Sequence, residues 1–207
     1  MNDDASLSRR KLLTHTLAGV SAMPFVSVPG LLAATAAPDK PTTHGTWSMP
    51  ATLPTGGPRD FDFLVGTWKS VNRRLKKRWV GSTDWDVFPN TLRCESRLGG
   101  IVNIDEVEFP TKGWAGMTVR TYDVEKRQWS LYWINSRQGV LFPPVVGGFT
   151  GDVGRFYGDD TDEGRPIKCV FQWRKLGPDK ALWEQAFSLD GKTWETNWSV
   201  EHTRVKG

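Results

Sequence analysis

The residues able to do chemistry are few, and their spacing excludes more than it offers. His202 is the sole histidine after His44, and His15 and His44 both precede the part of the chain with strand character. One imidazole can serve as an acid–base group or as a single axial ligand to haem. It cannot build a multi-histidine metal centre. Cys94 and Cys169 are 75 positions apart in a chain with no C-x-x-C, so zinc-finger and c-type haem spacings are absent. No G-x-S-x-G elbow occurs, and the glycine-rich stretch VVGGFTGDVG from Val145 lacks the G-K-[ST] of a phosphate loop. Asp159, Asp160, Asp162 and Glu163 are dense enough to attract calcium but lack EF-hand spacing, and the glycines around them read as an exposed hairpin loop. Glu106 and Glu108 share one strand face, read as outward and polar, while Asp105 points the other way. No catalytic residue and no metal ligand are assigned on these grounds.

Aromatic residues interleaved with a few polar ones carry more. The chain has 11 tryptophans in 207 residues, ten of them between Trp68 and Trp198. Tryptophan seeks a dry site with a partner for its N–H. Trp133, Trp183 and Trp198 are the expected walls of an apolar cavity. Arg120 or Arg137 would pair an acidic group, with Asn135, Tyr157, Gln185 and His202 as further polar contacts. Either Tyr132 or Trp133 faces inward, since their strand's parity is open. Such a cavity suits a small hydrophobic or aromatic molecule. Two alternatives use His202 differently: an isomerase, lyase or hydrolase pairing it with a carboxylate, or a haem barrel with His202 as axial ligand, in which case haem would be the cofactor. Without that, no cofactor is expected.

These groups must be positioned by strands. From Trp68 onward, strand-length segments alternate with turn signals. The expected strands are Trp68–Trp79, a short Thr83–Phe88 ended by Pro89-Asn90, Thr91–Leu98, Ile101–Phe109, Trp114–Tyr122, Gln128–Asn135, Val145–Thr150, Gly154–Tyr157, Ile167–Lys175, Ala181–Ser188 and Thr193–Val205. Ile167, Cys169, Phe171 and Trp173 fall on one face, as do Trp198, Val200, His202 and Arg204. Asp190-Gly191 is a strong hairpin signal. No segment has a long helical period; Phe61–Val65 could form one turn. The fold expected is all-β, an antiparallel up-and-down barrel of about eight to ten strands, which can enclose one small ligand, with a sandwich as the alternative. Both cysteines fall mid-strand on the inward face, which points to buried free thiols.

The N-terminal part reads as targeting. Ser8–Thr14 is SRRKLLT, followed by a modest apolar stretch and the small residues LAATAAPDK. This order matches a twin-arginine export signal over 1–36, whose partner is the twin-arginine machinery and whose destination is the periplasm or beyond. His15, Pro24 and Pro29 break the apolar stretch, so no stable membrane span is expected. Residues 37–59, rich in Pro, Gly and Thr, read as a flexible linker, and 60–207 as the barrel domain. Formal net charge is +4, of which the first 36 residues hold +1. That is too little for a nucleic-acid footprint. The basic run Arg73, Arg74, Lys76, Lys77, Arg78 reads as a strand end opposing an acidic loop.

Gly66-Thr67-Trp68 at the first strand and Arg204 at the end of the last resemble the G-x-W and late basic residue of lipocalins and other calycins. The resemblance implies that the guanidinium lies across the indole and plugs one barrel end, with Gly66, Trp68 and Arg204 in those places. The stretches FDFLVGTW, NRRLKKR, LGGIVNIDEVEFP, RQWSLYWINSRQGVLFPPVVGGF, FYGDDTDEGRPI and WEQAFSLDGKTWETNW resemble a bacterial family of uncharacterised lipocalin-like proteins, over Asp60 to about Val205. That implies a calycin-type barrel and no established reaction. His202 stands near the place where the related nitrobindins hold haem, although their early glycine-rich pattern is absent here beyond Gly66 and Trp68.

Overall fold

The computed structural model describes residues 47–206, so the proposed export signal over 1–36 lies outside the described residues. Ten strands close into one antiparallel barrel, each paired to its sequence neighbours and the last to the first. They are β1 Gly66–Leu75, β2 Trp85–Arg97, β3 Val102–Phe109, β4 Trp114–Asp123, β5 Gln128–Asn135, β6 Val145–Thr150, β7 Val153–Asp162, β8 Arg165–Lys175, β9 Lys180–Ser188 and β10 Glu195–Arg204. A short 3-10 turn, Asp62–Leu64, precedes β1. The all-β, up-and-down barrel expected from strand alternation is what forms. Among the described residues, no helix is long and apolar enough to cross a membrane.

Three strands differ from their expected form. Thr83–Phe88 and Thr91–Leu98 are one strand, β2, which runs straight through Pro89. Proline is tolerated there because β2 pairs with β1 alone at that point, and its ladder with β3 begins at Thr91. The missing N–H therefore leaves no bond unmade. Second, β7 extends to Asp162 instead of stopping at Tyr157, so the acidic stretch is strand and not loop. Asp162 pairs Arg165 across a two-residue turn in which Glu163 and Gly164 both take positive φ, 55° and 77°, as a type I′ hairpin requires. Third, β1 stops at Leu75, four residues short of Trp79, whose φ is +67°.

The described end of the segment read as linker lies along the outer wall from Trp47, and then the carbonyls of Gly56 and Gly57 accept from the inward-facing Tyr122 Oη and Trp129 Nε1 at 2.9 Å each. Trp47 Nε1 donates to Thr196 Oγ1 at 2.9 Å, and Trp47 packs with Tyr157, Val170 and Ala186. Gly56 N donates to Arg127 O at 2.8 Å. Gly148, outward on β6, lets this backbone approach: a Cβ there would sit 2.4 Å from the carbonyl carbon of Thr55.

Candidate functional site

Inward side chains divide the barrel into two halves. In one, the inward rings carried by the strands are buried, and Phe63 of the preceding turn is partly exposed. Trp68 is fully buried and stands directly across from Arg204 in the β1–β10 ladder. The guanidinium lies 4.2 Å from the indole centroid and donates to the carbonyl oxygens of Phe63, at 2.5 Å, Val65, at 2.7 Å, and Pro178, at 3.1 Å. Trp68 Nε1 donates to Leu64 O at 2.8 Å. Gly66 takes φ +118°, and a Cβ on it would come within 3.0 Å of Arg204 Nη1. The plug expected of Gly66, Trp68 and Arg204 is thus a network that ties the 3-10 turn to both ends of the chain's strand order. Phe61 rises from that turn into the barrel and meets Trp129, Phe149 and Phe156 at centroid distances of 5.1, 5.2 and 5.7 Å.

Beneath the plug lies a buried polar layer. Asp105 on β3 and Arg120 on β4 form an ion pair whose side chains are 1% and 2% exposed. Arg120 Nη1 donates to Asn103 Oδ1 at 2.8 Å, and the same oxygen accepts from Cys94 Sγ at 3.3 Å. Burial pushes the Cys94 thiol up to about 11, so it is protonated and inert at neutral pH. Cys169 is also buried and outside any disulfide among the described residues. His202 Nδ1 is hydrogen-bonded to Ser70 Oγ at 2.8 Å, and its ring stacks on Trp173 at 5.1 Å. Burial, helped by the positive charge of Arg120, pulls the His202 imidazole down to about 3. It is neutral at pH 7.

The opposite half is open. Trp114, Trp133, Phe171, Trp183 and Trp198 all face inward, yet each keeps part of its surface in solvent. The parity of β5 is settled by Gly116. A Cβ on that residue would lie 2.1 Å from the Trp133 ring, so Trp133 lies over it, facing inward, and Tyr132 faces out. Trp183 meets Trp198 edge-on at 5.6 Å and Phe171 at 5.1 Å. Cations rim these rings. Arg74 lies 4.6 Å from the Trp198 centroid, and Arg137 lies 5.4 Å from that of Trp114. Trp198 Nε1 donates to Asn72 Oδ1 at 3.0 Å, and Gln185 Nε2 to Asn197 Oδ1 at 2.7 Å, which keeps buried polar groups paired.

A strap crosses part of this mouth. The connection from Leu75 to Trp85 carries Arg78 and Trp79 to the far wall. Arg78 grips the Asp162 carboxylate through two bonds of 2.9 and 2.5 Å, and Trp79 Nε1 donates to it at 2.7 Å. The Trp79 backbone N–H donates to Glu195 at 2.9 Å, and Arg165 lies 5.5 Å from the Trp79 ring centroid. The basic run therefore meets the acidic stretch, through Arg78 and Asp162. The acidic residues do not converge: Asp159 faces out and pairs Lys168 at 2.6 Å, while Asp162 faces in.

The residues proposed for one pocket are thus distributed over several places. Trp133, Trp183, Gln185 and Trp198 share the open half. Arg137 is exposed on the rim and donates to Lys112 O at 3.0 Å. Asn135 shapes the turn after β5, its Oδ1 accepting from the N–H groups of Arg137 and Gln138 at 3.1 Å each. Arg120 and His202 lie in the sealed half. Tyr157 faces outward on β7, under Trp47, because β7 presents Gly154, Phe156 and Gly158 to the interior. Sequence reasoning missed Trp114 and Arg74 on the mouth and the strap residues Arg78 and Trp79. Trp114 and Gly116 share parity with Arg120, a signal that was available. An outer cleft of about 250 Å³ between Pro54, Gly148, Thr150, Val153 and Arg155 holds no ring, and its Arg155 is bonded to Gln172 at 2.9 Å.

No family model matches the chain, and no curated protein does. Among solved structures, the barrel is similar to a protein of unknown function from the DUF3598 family of Nostoc punctiforme, at 12% identity and a TM-score of 0.41. The match covers 76% of this chain and 51% of that one, so this chain spans about half the length of its neighbour.

Proposed function

We propose that this is an exported, lipocalin-like barrel that binds a small hydrophobic or aromatic molecule, with an acidic group favoured, at its open mouth. One observation carries the reading: five inward-facing aromatic rings on the strands remain partly exposed at one end, while Trp68, Trp129, Phe149, Phe156 and Trp173 toward the other are buried. Partly dry aromatic walls with a few fixed polar groups are what small-molecule sites are made of. Arg74 and Arg137 on the rim supply the positive charge for an acidic group; Arg120, held by Asp105, does not reach this end. The twin-arginine motif at Arg9-Arg10 is the basis for export to the periplasm through the corresponding machinery.

A saturable change in tryptophan emission with a panel of aromatic acids and single-chain amphiphiles tests the binding. Silence across the panel overturns it. Arg9→Lys with Arg10→Lys tests export: the double variant is expected to stay in the cytoplasm as precursor, and normal export would refute the signal.

Haem ligation by His202 is favoured by one specific feature, its buried Nε2 without a partner. Added haemin should then give a Soret band that His202→Ala abolishes, and no band excludes it. An enzymatic role for His202 has less behind it. The Ser70–His202 pair is buried under the plug, and nothing orients Nε2 as a triad's third member orients its histidine.

A further inference from the structure

Among the described residues, four buried polar atoms on or near Trp173 have no hydrogen-bond partner: Arg120 Nε, Asn103 Nδ2, Trp173 Nε1 and His202 Nε2. Their residues are between 1% and 5% exposed. They belong to one neighbourhood. His202 stacks on Trp173 at 5.1 Å, the Arg120 guanidinium lies 5.8 Å from the Trp173 centroid, and Asn103 is bonded to Arg120 at 2.8 Å. Buried polar groups are almost always paired, and each orphan destabilises the fold. Four in one neighbourhood call for an occupant.

The chemistry of that occupant follows from the donors. Arg Nε, Trp Nε1 and Asn Nδ2 can only donate, and His202 Nε2 donates when the Ser70 hydroxyl gives its proton to Nδ1. Water filling such a space brings two protons of its own per molecule, and these need acceptors. The acceptors beside it are fewer than the donors, with about two of the four positions on Asp105 left. Asn103 Oδ1 accepts from both Arg120 and Cys94, and Asp105 accepts from Arg120 and from the Thr118 N–H. A carboxylate has about four acceptor positions and no proton to place, which matches four donors.

We propose that the plugged half of the barrel holds a second site, in which Arg120 Nε, Asn103 Nδ2, Trp173 Nε1 and His202 Nε2 bind a carboxylate. This site is separate from the aromatic mouth and does not depend on that reading. The carboxylate belongs either to a small free acid or to the head of a molecule whose body lies in the mouth.

Indole N–H cross-peaks in 1H–15N spectra test this directly, with Trp173→Phe assigning the Trp173 peak. Sodium formate and sodium benzoate are titrated against sodium chloride at equal ionic strength. A free-acid site gives a saturating shift of the Trp173 peak with formate alone. A head-group site gives it with benzoate, together with shifts of the Trp133 and Trp198 peaks. Formate, with three heavy atoms, binds no tighter than about 0.5 mM. Asn103→Asp, which keeps the side chain's size but places a negative charge in the site, removes the response while circular dichroism shows the fold retained. If neither ion moves the Trp173 peak up to about 50 mM, a hundredfold above that limit, or if the Asn103→Asp response equals that of the unaltered protein, the site is overturned.

Discussion

Two tryptophans in this barrel each carry an arginine on one face, and they do opposite things. Trp68 is sealed, and its partner Arg204 is fixed by backbone carbonyls of three residues. Trp198 has Arg74 at 4.6 Å, and its ring remains partly in solvent. The stack is the same in chemistry and differs in surroundings. At the plug, the 3-10 turn before β1 brings Phe61 and Leu64 into the core, and the end closes. At the mouth, the strap from Leu75 to Trp85 crosses, pinned at Arg78 and Trp79. The comparison teaches that a Trp–Arg pair is buried structure when the chain folds over it, and stays open to solvent when it does not.

Substitutions can break this contrast, and their expected effects run from large to small. Trp68→Ala removes the fully buried indole and should lower unfolding free energy by roughly 3–5 kcal/mol in urea denaturation. A loss comparable to that of a mouth tryptophan would erase the difference between the halves. Asp105→Asn strands the buried Arg120 charge and should cost about 3 kcal/mol by the same measurement. Stability should also depend on pH through His202. Its imidazole is pulled from 6.5 to about 3 in the folded chain, so below pH 6.5 the unfolded state takes up the proton first. The contribution is whole above pH 6.5 and is lost by on the order of a few kcal/mol as pH falls toward 3. His202→Asn should flatten that part of the profile, and an unchanged profile would place the titration elsewhere. Arg204→Ala should cost about 2 kcal/mol, through the lost cation–π contact and carbonyl bonds, with ligand response retained. Trp79→Ala releases the strap and should cost about 1 kcal/mol through its lost hydrogen bond to Asp162. Its sharper readout is faster acrylamide quenching of the mouth tryptophans.

Much of the barrel was legible in the sequence, and so was the plug. Period-2 alternation fixed which residues of β8 and β10 point inward, because one face of each strand must be dry. Asp190-Gly191 marked its hairpin: the Asp190 carboxylate accepts the N–H groups of Thr193 and Lys192, which hold it down to about 2. The places that misled have physical causes. Pro89 reads as a strand end, but a proline costs a ladder nothing where the second neighbour is absent. Asp159–Asp162 reads as loop because aspartate is poor in strands, yet Lys168 and Arg78 neutralise it from two sides. Tyr157 entered the proposed pocket because an aromatic in a strand suggests an interior, and the outer wall of β7 to β9 is itself covered by Trp47 and Leu53. Asp105 and Arg120 are on paired strands, two positions off direct register. Their contact needed the β3–β4 ladder, which sets Asn103 opposite Arg120.

The eleven tryptophans offer a direct test, since each contributes one indole cross-peak to a 1H–15N spectrum. On titration with a ligand that changes tryptophan emission, the account predicts saturating shifts of the Trp114, Trp133, Trp183 and Trp198 peaks and a stationary Trp68 peak. A Trp68 peak that moves while those four stand still would contradict it.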